Sequence, residues 1–366
     1  MNFLERLLDG VVVEWKPLEI VAKIKHGKDW KGLNAGDIPV YGSGGIMGYV
    51  DRYLYNKPTV LIPRKGSITN IFYVETPLWN VDTIYYTEID TLRIIPKYLY
   101  YFITTIDLMS LDTGSGRPSL TQAILNKIQI PIPCPDNLDR SLAIQAEIVR
   151  ILDTFTELTA ELTAELTARQ KQYEYYRDRL LTFEEDEADW KPLGEIGKII
   201  RGTAITEKEA NSGDYPVVGN APSHNYFHDQ SNRSGETIVI ARSGVYAGLV
   251  SYWDIPIFLT DAFSIHPDNN VLSSKFLYYV LKKDQTKIHN MSKGAGVPHV
   301  RAKEFELYKV PVIPLPEQAR IVAILDKFDT LTTSIREGLP REIALRQQQY
   351  EYYRDLLLSF PKAEEQ

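Results

Sequence analysis

Cysteine is nearly absent. The chain of 366 residues carries one, Cys134, so no intrachain disulfide can form and a reducing cytoplasm is the expected location. No run of about 18 uncharged apolar residues occurs, which excludes a membrane-spanning helix. The opening stretch "MNFLERLLDG" places Glu5, Arg6 and Asp9 among its apolar residues, which argues against a secretory signal. Catalytic signatures are missing too. There is no G-x-x-x-x-G-K-[ST] loop. "YGSGGIMGY" misses G-x-G-x-x-G by a residue and reads as a turn-rich loop. His224 and His228 in "HNYFH" stand four apart, but no third ligand has a recognisable spacing, so no metal site is expected. Cys134 lies between prolines in "PIPCPD", with no base nearby in sequence, and reads as a packed small residue. What remains is the chemistry of binding.

Basic excess is also absent: the net charge is −7. That total leans against a nucleic-acid partner. It is skewed, however, by five carboxylates in "FEEDEAD" at residues 183–189. Phosphates respond to a local patch and not to a sum.

What the sequence does have is itself, twice. "QYEYYRD" at residues 172–178 recurs letter for letter at residues 349–355. "EWKPLEIVAKIKHG" from Glu14 matches "DWKPLGEIGKIIRG" from Asp189. "TVLIPRKGS" from Thr59 matches "TIVIARSGV" from Thr237, and "KYLYYF" from Lys97 matches "KFLYYV" from Lys275. "GSGRPSL" from Gly114 matches "GAGVPHV" from Gly294, and "EIVRILDTF" from Glu147 matches "RIVAILDKF" from Arg320. Order is kept throughout, so the chain is two copies of one unit. The start, "ERLLDGVVVEWKPL", resembles the middle, "DRLLTFEEDEADWKPL". Residues 1–14 therefore read as a helical segment that completes a circular repeat near the C-terminal arm.

Each unit has two parts. Short β-branched or aromatic runs such as "TVLIPR", "NIFYVE", "TIYYTEI", "ETIVIAR" and "IFLTDAFSI" read as strands. "KYLYYFITTID" and "SKFLYYVLKKDQTKI" read as helices. The arms differ: residues 141–183 contain neither Gly nor Pro. Apolar residues there fall at Ile144, Ile148, Ile151, Phe155, Leu158 and Leu162, which is coiled-coil spacing. About 40 helical residues make a rod roughly 60 Å long. "TAELTAEL" at residues 159–166 steps its leucines by four, a stutter that unwinds the supercoil without breaking the helix. The second arm, after "PLPEQ", is expected to kink near residues 338–340, because Gly338 ends a helix well and Pro340 suits the first turn of the next. The expected fold is α+β: two duplicated mixed domains joined by two long helices in an antiparallel coiled coil, with pseudo-two-fold symmetry. The boundaries drawn are 1–14, 15–137 (first domain), 138–183 (central helix), 184–316 (second domain) and 317–366 (C-terminal helix).

Basic, glycine-flanked loops are the candidate nucleic-acid contacts. The first unit offers Arg64, Lys65 and Ser67, with Arg117 in a second glycine-rich loop. The second offers Arg242 and Ser243, with Lys293 and His299. Glycine lets the backbone come close, and Arg or Lys can then meet a phosphate or a guanine edge. An ordinary solvated turn explains any one of these residues equally well. The repeated placement favours the loops as a class. Their contents diverge: "YGSGGIMGYVDRY" stands against "VGNAPSHNYFHDQ". One frame with two loop sets would read two different things.

The "WKPL" starts, "IP-x-P" ends, "PLPEQ…IV…LD" helix start, "TAEL" repeat and duplicated "QYEYYRD" together resemble the specificity subunit of Type I restriction-modification systems, over essentially the whole chain. The resemblance implies a non-catalytic protein whose two target recognition domains each read half of a bipartite, asymmetric double-stranded DNA site in the major groove. Its coiled coil would fix the spacer. Two modification (methyltransferase) subunits would dock and carry the S-adenosylmethionine chemistry, so no cofactor is expected in this chain. Restriction subunits would join that core. The duplicated motif then supplies the docking candidates Tyr173, Tyr176, Arg177, Tyr350, Tyr353 and Arg354, which could equally pack the arms on each other. The first arm departs from the pattern, starting with "IPCPDNLDRSLAIQ" where the second has "PLPEQ". A stand-alone DNA methyltransferase or nuclease and a protein-only coiled-coil scaffold are the alternatives. No "NPPY"-like or "DPPY"-like loop supports the first of them.

Overall fold

The computed structural model describes residues 10–112, 116–224, 226–293, 296–334 and 337–360. It divides into two compact units, residues 1–161 with 343–366 and residues 162–342.

The first unit runs β1 (Val13–Pro17), α1 (Leu18–Val21), β2 (Ala22–His26), β3 (Ile38–Gly42), β4 (Gly45–Val50), β5 (Thr59–Pro63), β6 (Phe72–Val74), β7 (Trp79–Asn80), β8 (Ile84–Ile89), α2 (Pro96–Ile103), α3 (Gln122–Asn126) and β9 (Gln129–Pro133). Its sheets have the orders β2-β8-β5-β6, β4-β3-β7 and β1-β9. Next comes α4 (Leu138–Leu180). The second unit follows with β10 (Asp189–Pro192), α5 (Leu193–Ile196), β11 (Gly197–Arg201), β12 (Tyr215–Val218), β13 (Phe227–His228), β14 (Thr237–Ala241), β15 (Val250–Trp253), β16 (Phe258–Leu259), β17 (Ala262–Pro267), α6 (Ser274–Lys283), α7 (Gln285–Asn290), α8 (Ala302–Glu306), β18 (Lys309–Val312) and α9 (Leu315–Thr333). Its sheet orders, β11-β17-β14-β15, β13-β12-β16 and β10-β18, repeat the first unit strand for strand. The chain continues into α10 (Gly338–Leu358).

The repeated phrases close each unit on itself. Trp15 of "WKPL" lies opposite Pro131 of "IPIP", and Trp190 lies opposite Pro311. Two-stranded ribbons tolerate these prolines because each strand needs its N–H groups on one side only. Each unit has its own apolar core. In the first, Val60, Ile62, Tyr98 and Leu99 meet Ile144, Ile148 and Leu152 of α4 and Leu357 of α10. In the second, Ile238, Ile240, Phe276 and Leu277 meet Ile321 and Leu325 of α9, with Leu181 just beyond α4. In each unit one helix therefore leaves the core while the end of another returns to it. That makes an antiparallel pair: Phe155 stacks on Tyr353 at 5.2 Å in the first unit and Tyr176 on Phe328 at 5.7 Å in the second.

Two duplicated polar clamps bind these helices to the domains. Gln145 and Gln318 are fully buried. The Gln145 amide oxygen accepts from the Ile95 N–H at 2.8 Å, and the Gln318 oxygen accepts from the Ser273 N–H at 2.8 Å. The Gln318 amide also donates to the carbonyls of Val271 and Ile313 at 2.9 and 2.7 Å. Asp153 accepts from the Tyr101 hydroxyl at 2.5 Å and pairs with Lys97 at 2.8 Å. Asp326 does the same for Tyr279 and Lys275. Burial first, then the Asp326 hydrogen bond, pushes the Tyr279 phenol far above its usual range, so it remains a donor. This is why "KYLYYF" and "ILD" recur together. Replacing Gln318 by Leu keeps the volume but strands one N–H and two carbonyls. The expected loss is roughly 3 kcal/mol or more, at about 1–3 kcal/mol for each of these three groups. It should appear as a lower urea midpoint, and an unchanged midpoint would show that Gln318 is not a clamp.

Some local expectations change. The second arm is interrupted near residues 338–340 as expected, with α9 ending at Thr333 and Pro340 in the first turn of α10, but Gly338 opens α10 instead of ending a helix. Its φ is +79°, and a Cβ there would lie 2.4 Å from the Thr330 carbonyl oxygen. Glycine is thus required for the chain to pass the end of α9. "IFLTDAFSI" splits into β16 and β17, because Thr260 turns to donate its N–H to the Val218 carbonyl. "YGSGGIMGY" is not a loop but the β3–β4 hairpin. Residues 13 and 14, expected in a helical segment, belong to β1, and residues 1–9 lie outside the described residues. Leu152, not Ile151, carries the buried stripe of α4 between Ile148 and Phe155. The first turn of α4, which departs from the pattern, is capped by Asn137, whose side-chain oxygen accepts from the Arg140 N–H at 3.0 Å.

Candidate nucleic-acid interface

The two candidate loops of each unit are far apart in sequence and joined in space. In the first unit the Gly66 N–H donates to the Pro118 carbonyl at 3.1 Å and the Leu120 N–H to the Arg64 carbonyl at 2.8 Å. In the second the Gly244 N–H donates to the Pro298 carbonyl at 3.1 Å and the Val300 N–H to the Arg242 carbonyl at 2.9 Å. Gly66 and Gly244 both have positive φ, 87° and 79°, which L side chains rarely adopt. Lys65 is therefore set opposite Ser119 and Ser243 opposite His299, with Arg64 and Arg242 one residue before them. Gly114, Ser115, Gly294 and Ala295 lie outside the described residues.

The side chains mounted on this common frame differ. The Arg242 guanidinium pairs with Asp261 at 3.4 Å. Asp261 also accepts from the Ser243 hydroxyl at 2.9 Å and from the Asn220 amide, and Asn220 accepts the N–H groups of Arg242 and Ser243 at 2.9 and 3.1 Å. Arg242 is still 49% exposed at its side chain, so its head is held in place but open to solvent. In the first unit Thr83 takes the place of Asp261 in the strand register, and Ser43 donates its N–H to the Thr83 hydroxyl at 3.4 Å. The Arg64 guanidinium reaches the Asp82 carbonyl, at 3.4 Å, and the Tyr85 phenol. Lys65, Ser67 and Arg117 are exposed. Lys293 exchanges backbone hydrogen bonds with His299, both at 3.0 Å, and its ammonium pairs with Glu304 at 2.7 Å.

Two arginines that sequence reasoning missed stand beside this cluster. Arg201, the last residue of β11, and Arg301, just before α8, line a cavity of about 560 Å³ together with Arg242, Lys293 and His299. Their signal was available, since the matching positions in the first copy, His26 and Thr121, are not arginine.

The duplicated tyrosines divide by face. Tyr173 and Tyr350 are half-buried against their units' cores. Burial first, then the Asp329 carboxylate, pushes the Tyr173 phenol up to about 12. Tyr176 and Tyr353 stack on Phe328 and Phe155. Arg177 and Arg354 each pair with the next residue, Asp178 and Asp355, at 2.8 and 2.7 Å. Tyr175 and Tyr352 point outward, 59% and 63% exposed. His224 packs against Phe227 and Trp253, while His228 accepts from the Asn211 N–H. Among the described residues no three His, Cys, Asp or Glu side chains converge as metal ligands, and no helix is long and apolar enough to cross a membrane.

Residues 13–169 and 186–345 each match the family described as the Type I restriction modification DNA specificity domain. The chain is 38% identical to the Type I restriction enzyme EcoR124I/EcoR124II specificity subunit of Escherichia coli, over all of this chain and 98% of that one. Its fold is similar to the crystal structure of a Type-I restriction-modification system S subunit from M. genitalium, with a TM-score of 0.69 and 20% identity over 97% and 98% of the two chains. It is also similar to a chain from a structural study of complex assembly and conformational transition in the type I R-M system, with a TM-score of 0.60 and 15% identity over 94% and 97%.

Proposed function

The chain belongs to the Type I restriction-modification DNA specificity family, and from that premise we propose that each of its units reads one half of a bipartite DNA site. One observation carries this. The same strand order and the same loop tether present Arg64 and Ser119 in one unit, but Arg242, held by Asp261, and His299 in the other. A pinned, solvent-open guanidinium suits the paired acceptors of a guanine edge in the major groove. Arg64, Lys65, Ser67, Arg117, Ser243, Lys293 and His299 complete the candidate contact set. The arms set the spacer.

The chain acts as a subunit without chemistry of its own. Two modification subunits bind it, hold S-adenosylmethionine and methylate adenine, and restriction subunits add cleavage. Packing already uses Tyr173, Tyr176, Tyr350 and Tyr353, but it does not account for the exposed identical pair Tyr175 and Tyr352. These two, with Arg177 and Arg354, are the proposed docking points. The test is assembly with the modification subunit, read by native mass spectrometry and by DNA titration. The wild-type complex should hold two modification subunits and prefer its site over scrambled duplex by about 10³-fold or more. Tyr175→Ala should cost one subunit and Tyr175→Ala/Tyr352→Ala both. Equal affinity for the two duplexes would contradict the reading function, and an intact assembly of the double variant would contradict the docking assignment.

A further inference from the structure

The two units are alike in frame but not in charge around the cavity beside the loops. In the second unit that cavity is lined by Arg201, Arg242, Lys293, His299 and Arg301, with no acidic side chain among the described lining residues. Two carboxylates lie close by, and each is already matched: Asp261 by Arg242 and Glu304 by Lys293. Arg201 and Arg301 have no carboxylate partner among the described residues, and both are exposed. They therefore set the sign of the cavity. Arg201 is also held in place from behind. The Arg233 guanidinium donates to the carbonyls of Ile200 and Arg201 at 3.2 and 2.8 Å, which fixes the end of β11.

The first unit lacks this arrangement. His26 occupies the register position of Arg201, opposite Tyr85 where Arg201 is opposite Phe263. Thr121 follows Leu120 where Arg301 follows Val300, and its hydroxyl is spent accepting from the Ile124 N–H at 3.4 Å. Beside Ser119, at the place of His299, stands a carboxylate: Asp112 accepts the Ser119 N–H at 2.7 Å.

We propose that the second unit grips the DNA backbone through Arg201 and Arg301, which receive phosphate oxygens in this cavity, and that the first unit has no equivalent grip. The proposal rests on the DNA-reading function proposed above. Its consequence is that the two units hold the backbone by different means: the second through two arginines fixed beside this cavity, the first without a counterpart of that pair. Guanidinium heads suit phosphate oxygens, and each phosphate neutralised releases counterions into solution.

The experiment measures affinity against salt concentration for the chain assembled with its modification subunits, on site-bearing and scrambled duplexes. Arg201→Ala/Arg301→Ala should lower the salt slope by just under about 2, at about 0.9 per phosphate contact, on both duplexes. The methylated sequence should be unchanged. Arg201→Lys/Arg301→Lys retains charge and should keep most of the slope, which separates the grip from misfolding. His26→Ala/Thr121→Ala should leave the slope alone. The proposal is overturned if the alanine variant keeps the wild-type slope, if it changes the methylated sequence, or if the first-unit variant loses slope equally. A wild-type complex with no salt-dependent duplex binding would overturn the DNA-reading function as well.

Discussion

Insertion of a third TAEL unit after residue 166 is expected to lengthen the gap between the two half-sites by one to two base pairs and to abolish efficient use of the original site. α4 runs unbroken through 43 residues, and "TAELTAEL" lies inside it. The threonines there turn their hydroxyls back onto the helix and leave it continuous. The hydroxyls of Thr159 and Thr167 are satisfied by the carbonyls four residues back, Phe155 and Thr163, at 2.8 and 3.0 Å. Leu158, Leu162 and Leu166 are only half-buried, so the segment can gain a unit without disturbing either core. Four residues add about 6 Å of helix, against about 3.4 Å per base pair along one strand. They rotate the helix face by only about 40°. DNA also turns with each added pair, so a domain shifted along the axis can still meet its groove. Maps of methylated adenines in cells carrying the insertion read the result. An unchanged gap with efficient methylation would mean that the arm is not a ruler.

Replacement of residues 15–135 by the matching domain of a relative is expected to change one half-site completely and to leave the other, and the gap, as they were. The cores are separate: the apolar cluster around Val60, Tyr98 and Ile148 contains no residue of the cluster around Ile238, Phe276 and Leu325. Substitutions without shared neighbours act independently. The graft must keep Gln145 and Asp153 of α4 in register with the incoming helix, because they clamp Ile95, Lys97 and Tyr101. A change in both halves of the methylated motif would contradict independent reading.

Much of this was legible in the sequence, for physical reasons that differ by element. Duplication exposed the frame because a core tolerates only coordinated change. The Tyr101–Asp153 and Tyr279–Asp326 bonds kept "KYLYYF" and "ILD" together in both copies. The glycine-flanked basic loops were visible as composition. Their meeting was not, since nothing local predicts that the Gly66 N–H finds the Pro118 carbonyl. The helix break near Gly338 and the place of Pro340 in the first turn of α10 were legible, but glycine was read as a terminator, whereas close approach to the Thr330 carbonyl required it. Arg201 and Arg301 were overlooked because a single cation beside a strand or a helix has no signature. Only the contrast with His26 and Thr121 in the same register marks them. The tyrosine motif was read as a unit, although its alternate faces do different work. Tyr176 and Tyr353 stack on Phe328 and Phe155, Tyr176 with 37% of its surface still exposed, while Tyr175 and Tyr352 are 59% and 63% exposed.

The most direct test of two units reading two half-sites is a genome-wide map of methylated adenines in cells that express this chain with its modification subunit and no other methyltransferase. The account predicts a single motif of two unlike half-sites separated by a fixed run of unspecified bases. A continuous motif, or two identical half-sites, would contradict it.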